Sequence, residues 1–289
     1  MVNMKDKPIL IIDSHAIIHS VKYGMIHLSF NEQSVGVVLG FLRKVYSLSK
    51  KFDTNKFVFT WDSKRRARQK LYPEYKLNHS VKAPELVELD KLVYPQIDDL
   101  RLYAIPKMGF KNTFIQSGLE ADDLIAVVSQ IPTKEHKIIV SGDGDLYQLL
   151  TPDVSMYKVK VNKLYTLKDF QNDYNIEPNQ WADVKKIAGC TSDHVKGVKG
   201  VGEKTAIKYL KGTLNPTSKT YQEILKSKDI IKRNDILVRL PFPTTKTLSL
   251  NWNENFRIAD FLKVTEKFGL ASLQTSAVLE RWEKIFTMK

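Results

Sequence analysis

Short unbroken apolar runs at residues 9–12, 57–61, 113–115 and 138–140 read as strands, each followed by a polar turn. Between the first two, residues 34–49 repeat apolar side chains at helical spacing, with Val37, Val38, Phe41, Leu42 and Val45 on one face, so this stretch reads as a βαβ crossover. Residues 84–104 carry a second helical pattern through Leu86, Leu89, Leu92 and Val93. Pro95 should kink or divide it, and the segment reads as a mobile insertion rather than core. Residues 154–161 and 163–165 form a β-hairpin pattern. Beyond Asp169 the periodicity turns helical, at residues 181–188, 203–210, 221–226, 259–268 and 276–286, with an extended stretch at 239–243. The last two helical stretches carry Phe, Leu and Trp that read as packing. The predicted organisation is an α/β core over 1–169, with a mostly parallel central sheet and an insertion at about 63–105, and a helical region over 170–289.

Acidic residues recur where these strands end. The first run stops at Asp13 and the second at Asp62. The third leads into Glu120, Asp122 and Asp123 in the first turn of a helix, and the fourth into Asp143 and Asp145. One acidic first turn is ordinary, because a helix N-terminus stabilises negative charge. Four such turns are a different matter, since open α/β sheets place their ligand crevice beyond the carboxyl ends of the strands. Carboxylates gathered there repel one another unless protonated or neutralised by cations, and hard cations such as Mg²⁺ bind through oxygen. A metal site is the economical reading.

Charge strengthens it. Lys and Arg outnumber Asp and Glu to give a formal charge of +13, and this excess lies away from the acidic turns. A basic protein with one concentrated acidic site suits a polyanion held by its phosphates while cations act on one of them. The chain has 289 residues, 43% of them hydrophobic, enough to bury a substantial core. Its apolar runs fall short of the ~18 residues of a membrane span, and its single cysteine, Cys190, fits a reducing compartment such as a cytoplasm.

Two basic stretches are candidates for nucleic-acid contact. After Asp62 come Lys64, Arg65, Arg66, Arg68, Lys70 and Lys76, interleaved with Tyr72 and Tyr75, a mixture suited to phosphates and to stacking on unpaired bases. Between the helical stretches 181–188 and 203–210 lies a glycine-bearing turn with Gly197, Gly200 and Gly202, followed by a helix start. Such a turn lets a phosphate approach backbone N–H groups, and Lys199, Lys204 and Lys208 add charge.

Together these motifs resemble the flap endonuclease family, most closely the bacteriophage 5′ nucleases and the 5′-nuclease domain of bacterial DNA polymerase I. The residues that carry the likeness are Ile-Ile-Asp13, Asp62 with Arg68 and Pro73-Glu-Tyr-Lys76, Glu120-Ala-Asp-Asp, Asp143-Gly-Asp145, and Asp193 through Gly197-Val-Lys-Gly-Val-Gly-Glu-Lys-Thr-Ala206. The resemblance implies a PIN-like α/β nuclease core, a helical arch and a helix–three-turn–helix motif at about 181–211. It implies two Mg²⁺ ions, replaceable by Mn²⁺, that bind the scissile phosphate while an in-line water attacks, leaving a 5′ phosphate. Asp13, Asp62 and Asp122 would serve chiefly the first ion, and Glu120, Asp143, Asp145 and Asp193 the second. Asp123 would act on the ions through water or through their ligands. Lys76 and Arg68 would contact the scissile phosphate from the arch. Arg65, Arg66, Lys70 and Tyr75 would contact nucleic acid there, while residues 197–202 with Lys204 and Lys208 grip duplex phosphate. A K⁺ ion would sit among the carbonyls of Val198 and Val201.

The implied substrates are branched or nicked DNA with a 5′ end or flap and RNA–DNA primer junctions, handled by a monomer with replication proteins as candidate partners in a bacterial or phage-infected cytoplasm. One departure stands out: the family usually has an aspartate where this chain has Cys190, and a thiol is a poor ligand for Mg²⁺. Cys190 reads either as a packing residue or as the edge of the metal site. Two other functions stay open, a branched-DNA-binding protein with weak or lost hydrolysis and a PIN-type ribonuclease.

Overall fold

The computed structural model describes residues 7–25, 27–63, 67–77, 84–253 and 255–287. The apolar runs form four strands of a six-stranded sheet, three of them in its middle and the run at 113–115 at one edge. Its strands are β1 (Ile9–Asp13), β2 (Phe57–Thr60), β3 (Thr113–Phe114), β4 (Lys137–Val140), β5 (Val154–Lys158) and β6 (Lys163–Tyr165). They lie in the order β3-β2-β1-β4-β5-β6; neighbours are parallel except for the β5–β6 hairpin. The register sets Ile11 of β1 between Val58 and Ile139.

Helices α1 (Ser14–Met25), α2 (Gly36–Phe52), α3 (Ala67–Leu71), α4 (Pro84–Asp99) and α5 (Ala121–Gln130) belong to the predicted core region. The rest of the chain supplies α6 (Leu167–Tyr174), α7 (Trp181–Ala188), α8 (Glu203–Leu210), α9 (Lys219–Lys226), α10 (Lys228–Val238), α11 (Ile258–Lys267) and α12 (Ser276–Phe286).

Strand alternation sends neighbouring side chains to opposite faces. Leu10, Ile12, Phe57, Phe59, Ile138 and Val140 enter one core with α2, Phe261, Val264, Trp282 and Phe286. Ile9, Ile11, Val58 and Ile139 enter a second with Ile125, Val128, Phe170, Trp181, Val184 and Ala206. Both cores run past Asp169, so no break in packing marks the boundary drawn there from periodicity. The two C-terminal helices cover the sheet rather than extending the hairpin region.

The arch expectation needs a second correction. Helix α4 continues through Pro95 and ends in a π-helical turn, Leu100–Ala104. Its C-terminal half is core, not a mobile insertion: Val93, Ile97 and Leu100 are buried against the α2 side of the sheet. Gln96 explains the docking. Its Oε1 accepts from the Val37 amide at 2.8 Å and lies 3.3 Å from the Val38 amide, satisfying free donors at the start of α2, which lacks a side-chain cap of its own. Periodicity also missed α10, whose buried face is interrupted by Asn234. That side chain is fully buried and donates to the carbonyls of Lys186 and Lys196, tying α10 both to α7 and to the stretch that follows it. No helix among the described residues is long and apolar enough to cross a membrane.

Candidate active site

The parallel strands deliver their acids to one edge of the sheet. Asp13 is the last residue of β1 and its oxygens are held by the Ala16 amide at 2.9 Å and the Ser141 hydroxyl at 2.7 Å. Asp62 follows β2 and accepts from the Ala121 amide at 2.7 Å, so it stands at the positive end of α5; its other oxygen is 3.4 Å from His15 Nδ1. Asp143, after β4, accepts from the Asp145 amide at the start of a 3-10 turn. The Asp122 carboxylate makes no hydrogen bond or ion pair among the described residues. Ser141 and His15 were absent from the sequence reading, because a lone Ser or His carries no pattern.

These groups lie close enough to feel one another's charge. Burial pushes the Asp13 carboxyl above the usual range, and the charge of Asp62 pushes it further. Burial raises Asp122 strongly, with Asp143 and Asp13 adding repulsion. Partial loss of water and the charge of Asp145 raise Asp143. Desolvation also raises Asp193, against the pull of Lys76. A carboxylate cluster that resists ionisation is one that cations would relieve, and its all-oxygen donors suit a hard divalent ion. The residues therefore fit the metals that the resemblance implies.

The other end of the cluster already contains cations. Lys76, in a left-handed backbone conformation, donates to Glu120 Oε1 at 2.8 Å, lies 3.6 Å from Asp193 Oδ1, and its amide bonds the Asp193 carbonyl. Burial opposes charge on Glu120, yet Lys76, the Tyr75 hydroxyl and Arg68 outweigh it and hold that carboxyl below its usual range. Burial likewise opposes the Lys76 charge, and Glu120 and Asp193 reverse the effect, so its ammonium is held more firmly than usual. Lys185, another residue the sequence did not flag, lies 3.1 Å from Asp145 and 3.0 Å from Glu203 at the start of α8. Asp145, Cys190 and Asp193 present ligand atoms within 4.8 Å of one another.

Several assignments change. Asp123 is fully buried and its carboxylate makes two 2.7 Å bonds to Arg68, with further bonds from the Phe242 and Glu120 amides. With its acceptors spent on the fold, it is not placed to ligate a metal. Arg68, only 3% exposed, also donates to the Leu237 carbonyl and packs over Phe242, so it braces the site instead of reaching a phosphate. Tyr75 is 2% exposed and cannot stack on a base; its hydroxyl donates to Glu120 Oε2 at 2.6 Å and lies 3.1 Å from Asp193. Tyr72 is likewise buried, with the Arg233 guanidinium over its ring. Arg65 and Arg66 lie outside the described residues, while Lys70 is exposed.

The hairpin spans α7, a two-residue antiparallel ladder of residues 189–190 and 195–196, and α8. Lys199, Lys204 and Lys208 are exposed, as are Gly200 and Gly202. Gly200 adopts φ +75° with open space around it, which leaves its backbone approachable. Gly197 serves packing: a Cβ there would fall 2.2 Å from the Ala188 carbonyl carbon, so it closes the hairpin rather than admitting a phosphate. Val198 and Val201 have buried side chains, and the Val198 carbonyl accepts from the Val201 amide.

Comparison with known proteins bears on the family and the fold. A family model described as "5′-3′ exonuclease, N-terminal resolvase-like domain" matches residues 8–175. The chain is 32% identical over 219 residues to a 5′-3′ exonuclease of Bacillus subtilis, covering 72% of this chain and 71% of that protein. It is 29% identical to one of Buchnera aphidicola, covering 86% of each. The fold matches T5 5′-exonuclease, solved with bound divalent metal ions (zinc), at a TM-score of 0.69 and 22% identity over 96% of this chain and 98% of that one. Fold and family match thus define a nuclease. The chain belongs to the 5′-3′ exonuclease family.

Proposed function

We propose that this chain is a structure-specific 5′ nuclease that hydrolyses phosphodiesters at the 5′ ends or flaps of branched and nicked DNA and at RNA–DNA primer junctions during replication. The observation that carries this reading is the placement of Asp13, Asp62 and Asp143 just at or after the ends of parallel strands, held by Ser141 and by backbone amides, with Lys185 linking Asp145 to the start of α8. Asp13, Asp62 and Asp122 would hold one Mg²⁺, and Glu120, Asp143, Asp145 and Asp193 the other, with Mn²⁺ able to replace either. Two such ions, when bound, stabilise the attacking and leaving oxygens of an in-line displacement.

The chain's own groups do the rest. Lys76, held charged by Glu120 and Asp193, supplies positive charge where a phosphate builds up negative charge. Ser141 and the Ala16 and Ala121 amides fix the orientation of Asp13 and Asp62, so those acids are aimed before substrate arrives. The exposed lysines of the hairpin, a helix–three-turn–helix in this reading, would hold duplex phosphates, with K⁺ among the carbonyls near Val198 and Val201. The protein would work as a monomer in a cytoplasm, bacterial or phage-infected.

The test is to incubate the purified chain with a 5′-labelled flap duplex, with and without Mg²⁺, and to map any cut. Metal-dependent cutting at the flap junction or from the 5′ end is the expected result. Tight branched-DNA binding without cutting in any divalent metal would favour the DNA-binding alternative, and cutting confined to folded RNA the ribonuclease.

A further inference from the structure

Cys190 occupies a place that packing alone does not explain. Its backbone is pinned by the ladder to Val195, and one side of it packs with Tyr72, Tyr75, Leu237 and Val238. The sulfur nevertheless turns toward the acids: it lies 3.3 Å from Asp145 Oδ2 and 3.0 Å from the Ser192 hydroxyl. Lys185 engages the other oxygen of Asp145, Oδ1, so Oδ2 is the one left facing the thiol. Asp145, Cys190 and Asp193 thereby offer two oxygens and one sulfur within 4.8 Å of one another.

A donor set with sulfur does not treat all divalent ions alike. Mg²⁺ takes oxygen and leaves a thiol uncoordinated. Thiolate favours ions of the Zn²⁺ and Co²⁺ kind, and Zn²⁺ accepts carboxylate oxygen and sulfur together. We propose that the second metal position of this chain is a mixed sulfur–oxygen site that selects a thiophilic divalent cation over Mg²⁺, with Cys190 as the residue that sets the preference. The proposal rests on the two-metal reading above, and it makes the two positions chemically unequal: Asp13, Asp62 and Asp122 present only oxygen. On binding, the Cys190 S–H bond breaks and its proton passes to solvent as the metal–sulfur bond forms; no oxidation state changes.

Since Cys190 is the sole cysteine of the chain, any sulfur-to-metal signal reports on this residue without a variant. Co²⁺ titrated into the full chain in the presence of excess Mg²⁺ should raise a near-ultraviolet sulfur-to-cobalt charge-transfer band that saturates at one ion per chain. Further Mg²⁺ should not remove it. Cys190→Ser and Cys190→Asp should abolish the band while Co²⁺ still binds the carboxylates, seen in its visible absorption. Visible cobalt absorption without a charge-transfer band in the wild-type chain would overturn the proposal and leave the two-metal reading standing. Displacement of the band by Mg²⁺ would overturn the claimed preference, and failure of Co²⁺ to bind at all would overturn both. If a variant does not fold, the wild-type titration with its Mg²⁺ challenge decides the matter.

Discussion

Asp13 and Asp143 are positioned by amides and a hydroxyl, Asp122 meets its neighbours through charge alone, and none of the three forms a direct ion pair among the described residues, whereas Glu120, Asp145 and Asp193 already lie against Lys76 or Lys185. The first group resists ionisation. In the second, Glu120 is held charged by its lysine, tyrosine and arginine partners, while burial still raises Asp193 against the pull of Lys76. One end of the site therefore depends on outside cations to become fully ionised. The other is partly neutralised from within, so a metal there competes with lysines and its affinity turns on ligand type more than on charge.

That contrast is broken most directly at the cation-dependent end. Asp62→Asn and Asp143→Asn should each abolish cleavage while leaving DNA binding intact or tighter, because each removes a negative charge near the phosphate as it weakens the metal site. An asparagine at 62 can still accept from the Ala121 amide, so the fold should survive. Single-turnover assays beside binding titrations test this, and wild-type turnover in either variant would sink the metal assignment. At the lysine-bearing end, Lys76→Ala should slow the chemical step by roughly 10²-fold, the scale of losing one preorganised charge-stabilising donor. Duplex affinity should change little, since one phosphate contact among many is removed. A loss confined to binding would mean that Lys76 grips DNA and does not serve the reaction.

Arg68 and Asp123 sharpen the comparison differently, because they lie behind the acids rather than among them. Arg68→Leu strands a buried carboxylate and should lower stability by about 3–5 kcal/mol, while the double change with Asp123→Leu should recover much of the loss. Chemical denaturation of the two variants measures it. If the single variant were as stable as wild type but slow in cleavage, Arg68 would be a phosphate contact after all.

The division of labour was only half legible in the sequence. Acids at strand ends are visible because strand periodicity and turn position are local, and Asp13, Asp62, Glu120, Asp122, Asp143 and Asp145 all sit where those runs predicted. What each acid touches is set by tertiary packing. Nothing local distinguishes Asp122 from Asp123, yet one helical step turns the first toward Asp13 and Asp143 and the second into a buried pair with Arg68. Tyr75 and Tyr72 look like stacking residues beside arginines, and only burial shows otherwise. Asn234 hid α10 by placing a polar side chain on its buried face. Gly197 and Gly200 look equivalent in sequence, and they differ in what lies beside them.

Binding should depend on a third region. Lys199→Ala with Lys204→Ala should weaken duplex binding and flatten its salt dependence, by about 2 in the log–log slope if both lysines neutralise a phosphate. Single-turnover chemistry at saturating protein should change less. An unaltered slope across a salt titration of a nicked duplex would remove the hairpin from the DNA-binding surface.

The smallest expected effect is also the most direct probe of the cation-dependent end, and it needs no substrate. Burial, with repulsion from Asp143 and Asp13, holds the Asp122 carboxyl well above its unfolded value of 3.8. A carboxyl raised in the folded state contributes its full stability below the unfolded value and loses it as pH rises through the folded value, because the unfolded chain ionises more easily. Asp122→Asn cannot ionise and escapes that loss. In metal-free protein, the melting temperature of the variant relative to wild type should therefore climb as pH rises from about 4 and level off above the folded value. Comparing one residue with its amide cancels the opposite trend from Glu120, whose folded value is lowered. Mg²⁺ should reverse the ranking, since only wild type gains the carboxylate as a ligand, and a ligand that binds the native state alone stabilises it. A difference that stayed flat with pH and did not respond to Mg²⁺ would show that Asp122 is not held against its neighbours' charge, and would remove it from the group that outside cations must relieve.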